Sequence, residues 1–181
     1  MQRRNLIAIL AFAVASVPLM AAPAEAQELS RVERQVRREL VTLPFYSVFD
    51  DLSFRVDGDK VTLMGTVTRP TLKSGAEKAI KDIEGVGEID NQIEVLPLSP
   101  NDNDIRMAAY RAIYGQSAMA RYQMQAVPPI HIIVKNGDIR LEGVVATEGE
   151  KNIAGIQAKT VNGAFKVENN LRVEKDRAEK D

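Results

Sequence analysis

The chain has no cysteine and no tryptophan, a single histidine, and only 5% aromatic residues. Without cysteine there is no disulfide framework and no thiolate metal site. One histidine rules out a His-rich zinc centre, so any site at His131 would need carboxylates. The obvious acids, Glu142 and Glu168, read as ordinary surface positions on strands. Charge of one sign is also missing. The count is 24 basic against 25 acidic residues, which gives no global field to hold nucleic acid. No apolar run reaches the roughly 20 residues that a bilayer span requires. The glycines never form a phosphate-binding loop. Ser99–Asp104 lacks the downstream Gly and Glu of a calcium loop.

What is present at the N-terminus reads as an export leader. Arg3 and Arg4 precede the apolar run Leu6–Val17, Pro18 breaks it, and Ala24-Glu25-Ala26 supplies small residues at a cleavage site. Residues 1–26 are expected to be a signal peptide cut after Ala26, and the mature protein to be periplasmic. No lipid-attachment cysteine follows, and with no disulfides the domains must be held by their cores alone.

Val56–Val95 lies over Val134–Val173 at a constant offset of 78, with ten of 40 pairs identical. That period is too long for a solenoid and predicts two small domains. Each copy opens with an amphipathic helix: Val32, Val36 and Leu40 recur in one, Ile105, Ala109, Ala112 and Ile113 in the other. Ser30 and Glu33 have capping-box spacing. A hairpin follows. Leu52, Phe54 and Val56 alternate, then Val61, Leu63 and Val67; the second copy has Ile130, Ile132 and Val134, then Ile139, Leu141 and Val145. Asn136-Gly137 predicts a type I′ turn, and Asp57-Gly58 a turn shifted by one residue. A second helix is capped by Thr147 and Glu150, or by Thr68 and Pro70 in copy one. Gly163 and Gly85 are expected to end these helices in left-handed residues. A last strand carries Ile89 and Ile93, or Val167 and Leu171. Asn91 and Asn169 fall in its inward phase, as amides tying strand to loop or as marks of a bulge.

The order helix-strand-turn-strand-helix-strand carries a resemblance. With V-x-N-G-x-I-x-L-x-G at Val134–Gly143 and Gly163…Val167-x-Asn169-x-Leu171-x-Val173, the chain resembles the BON domain family (bacterial OsmY and nodulation). The resemblance implies an α+β fold of two tandem domains, each a three-stranded mixed sheet covered on one face by two helices. The domains are expected at 27–97 and 105–174, with a linker at 98–104 and a charged tail at 175–181. It also implies an exported envelope protein tied to phospholipid, osmotic stress or chaperone-like roles. It brings no catalytic residues and no cofactor.

One local signal stands apart. From Ile105 to Gly137 there is no Asp or Glu. At 100° per residue, Arg106, Met107, Tyr110, Arg111 and Tyr114 gather opposite the small apolar stripe of the third helix. With Arg121 and Tyr122 they form a candidate face for anionic phospholipid. The alternative is that this face packs on copy one. His131, Ile133 and Val144 share the outer sheet face of copy two, where copy one has Arg55 and Thr66 for the last two. They are candidates for contact with another domain or subunit. The function expected is non-catalytic: peripheral binding to anionic phospholipid or an envelope protein. A soluble holdase and a structural subunit of an oligomer are the alternatives.

Overall fold

The computed structural model describes residues 24–125 and 127–174. The expected leader as far as residue 23, and the tail 175–181, lie outside the described residues. In chain order the elements are α1 Ala24–Val41, β1 Asp51–Asp57, β2 Lys60–Val67, α2 Pro70–Ile80, β3 Glu88–Asn91 and β4 Glu94–Val95. Then come α3 Pro100–Tyr114, a 3₁₀ turn Ser117–Met119, α4 Ala120–Gln123, β5 Ile130–Lys135, β6 Asp138–Val145, α5 Glu148–Lys159, β7 Lys166–Asn169 and β8 Arg172–Val173. Shifted by 78, β2 falls on β6, β3 on β7 and β4 on β8, residue for residue.

Each copy is a two-layer α+β unit. The central strand, β2 or β6, pairs antiparallel with β1 or β5 on one side. On its other side it pairs parallel with a third strand broken into two pieces, β3 and β4 or β7 and β8. Two separate cores result. Val32, Val36 and Leu40 of α1 and Leu72, Ala76 and Ile80 of α2 bury Val61, Leu63 and Val67 of β2. In copy two, Ile105, Ala109 and Ile113 of α3 and Ala154 and Ala158 of α5 cover Ile139, Leu141 and Val145. The period-2 faces of the strands and the helical stripes meet as their spacing requires.

The broken third strand is explained by the two asparagines. Asn91 Nδ2 donates to the Lys73 carbonyl of α2 at 2.9 Å, and Asn169 Nδ2 to the Lys151 carbonyl of α5 at 2.8 Å. Their Oδ1 atoms accept from Ile93 N and Leu171 N, both at 3.3 Å. Each amide therefore satisfies the one N–H at the break that it accepts from, and pins the strand to a helix instead of a loop.

Several local expectations are corrected. Ser30 lies inside α1, so it is not a helix cap. The first hairpin turn is Gly58-Asp59, not a shifted Asp57-Gly58: Asp57 pairs with Lys60 just as Lys135 pairs with Asp138. Gly58 takes φ 64°, which suits a first turn position of glycine, whereas Asn136 and Gly137 are both positive, at 55° and 83°. Arg69, not Thr68, precedes α2 and lends it no side-chain cap, because Thr68 is committed elsewhere. Thr147 and Glu150 do form a reciprocal capping box. Gly85 and Gly163 are left-handed but stand beyond the helix ends, after Lys81 and Thr160 close α2 and α5. The expected linker 98–104 is cut short, since Ser99 caps α3 through its side chain and Pro100 is already helical.

Replacing Asn169 with alanine should cost about 1–3 kcal/mol, because Leu171 N loses its partner and the strand loses its tie to α5. The same change at Asn91 should cost a similar amount. Urea unfolding of the two variants checks this; an unchanged midpoint in either would show that the amide is idle.

Candidate functional site

The outer side of β5 faces no strand, and its backbone groups are instead met one by one. The Tyr114 hydroxyl donates to the Ile130 carbonyl at 2.7 Å and accepts from Ile130 N at 3.2 Å. Ile132 N donates to the Val48 carbonyl at 2.8 Å. The Val134 carbonyl accepts from Arg106 Nη2 at 2.7 Å. An open strand edge is a template for unwanted pairing, and here two side chains of α3 and one loop of copy one close it. Burial pushes the Tyr114 phenol well above its ordinary range.

The loop that reaches across is Leu43–Asp50. Val48 joins the core of copy two, and Phe49 packs edge-on to Tyr110 at 6.1 Å between ring centres. Asp50 fixes the loop. Its carboxylate is fully buried and accepts from Ser47 N, Ser47 Oγ, Thr68 N and Thr68 Oγ1 at 2.7–3.0 Å. Four donors on one carboxylate leave little of its desolvation cost unmet.

His131 stands opposite Glu142 on β6, not beside Val144, and is covered by Tyr46 with ring centres 5.6 Å apart. Its Nδ1 is buried without a hydrogen-bond partner among the described residues. Burial lowers its pKa, opposed by the nearby carboxylates of Asp51 and Asp50. Ile133 is only 2% exposed and lines a small cleft with Thr66, Glu94 and Leu96 of copy one. Arg140 Nη2 donates to Thr66 Oγ1 at 3.0 Å, and Lys135 pairs with Glu94 at 2.6 Å. Val144 stays half-buried.

The candidate lipid face divides. Arg106, at 6% exposure, and the buried Tyr114 and Tyr122 do not point outward. Tyr122 donates to Glu150 Oε2 at 2.9 Å, and Arg121 pairs with the same carboxylate while lying over the Tyr122 ring. Burial acts against the Glu150 charge, but the Tyr122 hydroxyl, Arg121 and the amides of Thr147 and Ala146 outweigh it and hold the pKa low. Arg111 is exposed, Met107 and Tyr110 are half-buried, and Met124 is 91% exposed. Helical spacing could not separate Arg106 from Arg111, because the ladder that Arg106 serves comes from a strand 28 residues away.

A family model for the BON domain matches residues 28–97 and again 116–175. The chain belongs to the BON domain family. BON proteins are generally non-catalytic, associated with phospholipid binding and stress, and typically periplasmic or envelope-associated. No curated protein matches the chain. Among solved structures it is similar to CdsD, a structural protein of the type III secretion system of Chlamydia trachomatis. One structure has 11% identity and a TM-score of 0.31, over 83% of this chain and 96% of that one. A second, of the CdsD C-terminal domain, has 11% identity and a TM-score of 0.27, over 77% and 96%. At those scores the likeness does not extend to function. Among the described residues no helix is long and apolar enough to cross a membrane.

Two outcomes test this architecture. Tyr114→Phe should destabilise the protein by about 1–3 kcal/mol, since Ile130 loses a partner at both N–H and C=O; urea unfolding reads it, and a wild-type midpoint would contradict the capping role. The second concerns pH. His131 binds its proton less readily folded than unfolded, so stability should be complete above about pH 6.5 and fall as the pH drops below it. His131→Phe should flatten the drop in urea midpoint between pH 7.5 and pH 5; parallel curves for the two proteins would remove His131 as its source.

Proposed function

We propose that this BON protein is a non-catalytic component of the cell envelope that rests on anionic phospholipid through the outward part of α3 and α4. Arg111, the rim of Met107 and Tyr110, and Met124 supply the contact. The observation that carries this reading is Met124, 91% exposed, in a segment of 33 residues from Ile105 to Gly137 that holds no acid. An exposed thioether in a segment whose charged side chains are basic suits the boundary between headgroups and acyl chains. Arg121 adds less, because Glu150 already neutralises it. With each free basic group contributing about 1 kcal/mol at an anionic surface, binding is reversible and salt-sensitive.

The chaperone-like alternative loses its main surface. It calls on the apolar outer sheet face of copy two and on the Met/Tyr segment; Ile133 of that face is covered by copy one, which leaves the segment with Met124.

Flotation with phosphatidylglycerol vesicles at low and high salt tests the proposal. The protein should float at low salt and be released at high salt. Arg111→Glu combined with Met124→Asp should reduce binding about tenfold or more, with the fold intact by circular dichroism. Unreduced flotation of a folded double variant would reject this surface.

A further inference from the structure

A cleft of about 550 Å³ opens where copy one, the connection Leu96–Pro100 and α3 meet. Arg69, Arg106, Thr68, Asn103, Phe49 and Leu98 are among the residues that line it, and no Asp or Glu is. This volume lies within the range of small-molecule pockets, roughly 300–1,000 Å³.

Two features of this cleft, and one residue stacked on its Arg69, lack a structural explanation. Arg106 is 6% exposed, its Nε has no hydrogen-bond partner, and it forms no ion pair among the described residues. A buried guanidinium is normally paired. Asp102 and Asp50 lie near enough to favour its charge. Neither forms an ion pair with it: Asp102 accepts from Asn136 N and Gly137 N at 2.9 and 2.8 Å, and Asp50 from Ser47 and Thr68. The second feature is Leu98, 97% exposed at the cleft although the chain could have placed any polar residue in this connection. The third is Phe45, 69% exposed, with a backbone φ of 68° that a bulky side chain rarely adopts. Its ring lies 5.0 Å beneath the guanidinium carbon of Arg69, so it positions that arginine at the cleft.

From this geometry we infer that the cleft between the copies binds an organic oxyanion, a carboxylate or phosphate ester carrying a short apolar group. Arg69 and Arg106 take the charged end, as guanidinium forks suit planar or tetrahedral oxyanions. Asn103 offers a further donor. Phe49 and Leu98 take the apolar end. The site uses none of Arg111, Met107 or Met124, and meets the α3–α4 surface only where Phe49 packs on Tyr110.

Isothermal titration calorimetry on the full chain, with hexyl phosphate, hexanoate and inorganic phosphate as probes, tests the inference. At least one hexyl probe should bind at one site per chain, more tightly than inorganic phosphate. Arg69→Gln should weaken it about tenfold or more through loss of a charge-assisted contact. Arg69 is exposed, so this variant should fold; Arg106→Lys, which keeps the charge, serves as a second reading and should retain measurable binding. Flotation on phosphatidylglycerol vesicles separates the sources of the oxyanion. Vesicle binding that falls with Arg69→Gln assigns the site to a lipid headgroup, and vesicle binding untouched by it assigns a soluble anion. No heat with either hexyl probe at millimolar concentration overturns the inference. So does equal affinity for inorganic phosphate, or hexyl binding that ignores Arg69→Gln. The double variant Arg111→Glu, Met124→Asp should leave hexyl binding intact, so failure of the membrane surface and failure of the cleft give different results.

Discussion

The outer edge of β5 constrains more of this molecule than any other single feature. Its amides and carbonyls must be paired or hydrated, and the chain pairs them with a phenol, a guanidinium and one carbonyl from the other copy. Once Val48 O receives Ile132 N, the Leu43–Asp50 loop is drawn against copy two. Tyr46 then covers His131, Phe49 meets Tyr110, and Thr66 comes within reach of Arg140. The exposed ion pair of Lys135 with Glu94 adds little beside these contacts. Each copy has only roughly 70 residues, a size at which a lone core is marginal. Docking over an edge raises the stability of both.

The docking runs one way, although the copies are related by duplication. Asp50 is the anchor of the reaching loop, and 78 residues later the chain has Pro128. Proline there offers no carboxylate to gather Ser47- and Thr68-like donors. Copy two instead has a longer connection, which folds into the 3₁₀ turn and α4 and ties back to its own α5 through Tyr122, Arg121 and Glu150. The same divergence makes the α3–α4 surface and the cleft specific to one position in the chain instead of occurring twice.

How much of this the sequence discloses depends on the range of the interaction. The repeat offset, the strand phases, the I′ turn at Asn136-Gly137 and the Thr147–Glu150 box all rest on residues close in sequence. Their chemistry is local, so their pattern is readable. Gly85 and Gly163 show the limit even there: positive φ was legible, but the extra turn between helix and glycine was not. The candidate face divides for a different reason. Arg106, Tyr114 and Tyr122 have the right helical phase to point outward, yet each serves a strand or helix that follows 16–28 residues later. Amphipathic patterning sorts residues by face; it cannot tell a polar group facing water from one facing an unpaired strand edge. Asp50 was equally hidden, because one acid in a loop carries no periodic signal.

Arginine shows most directly why the two proposed surfaces differ in kind. Arg111 and Arg106 occupy one helix, five residues apart. Arg111 is hydrated, so it meets an anionic surface at little desolvation cost, and what it contributes is correspondingly small and screened by salt. Arg106 has already lost most of its water on folding, with burial lowering its pKa and the nearby Asp102 and Asp50 offsetting that only in part. An anion arriving there meets a cation whose dehydration folding has largely completed, in a medium that screens weakly. A membrane contact through Arg111 and Met124 is therefore broad and reversible, set by the charge density of the surface. Recognition at Arg106 and Arg69 is set by the shape and charge of a single molecule. The edge of β5 takes up Nη2 of Arg106, and the same side chain lines the cleft.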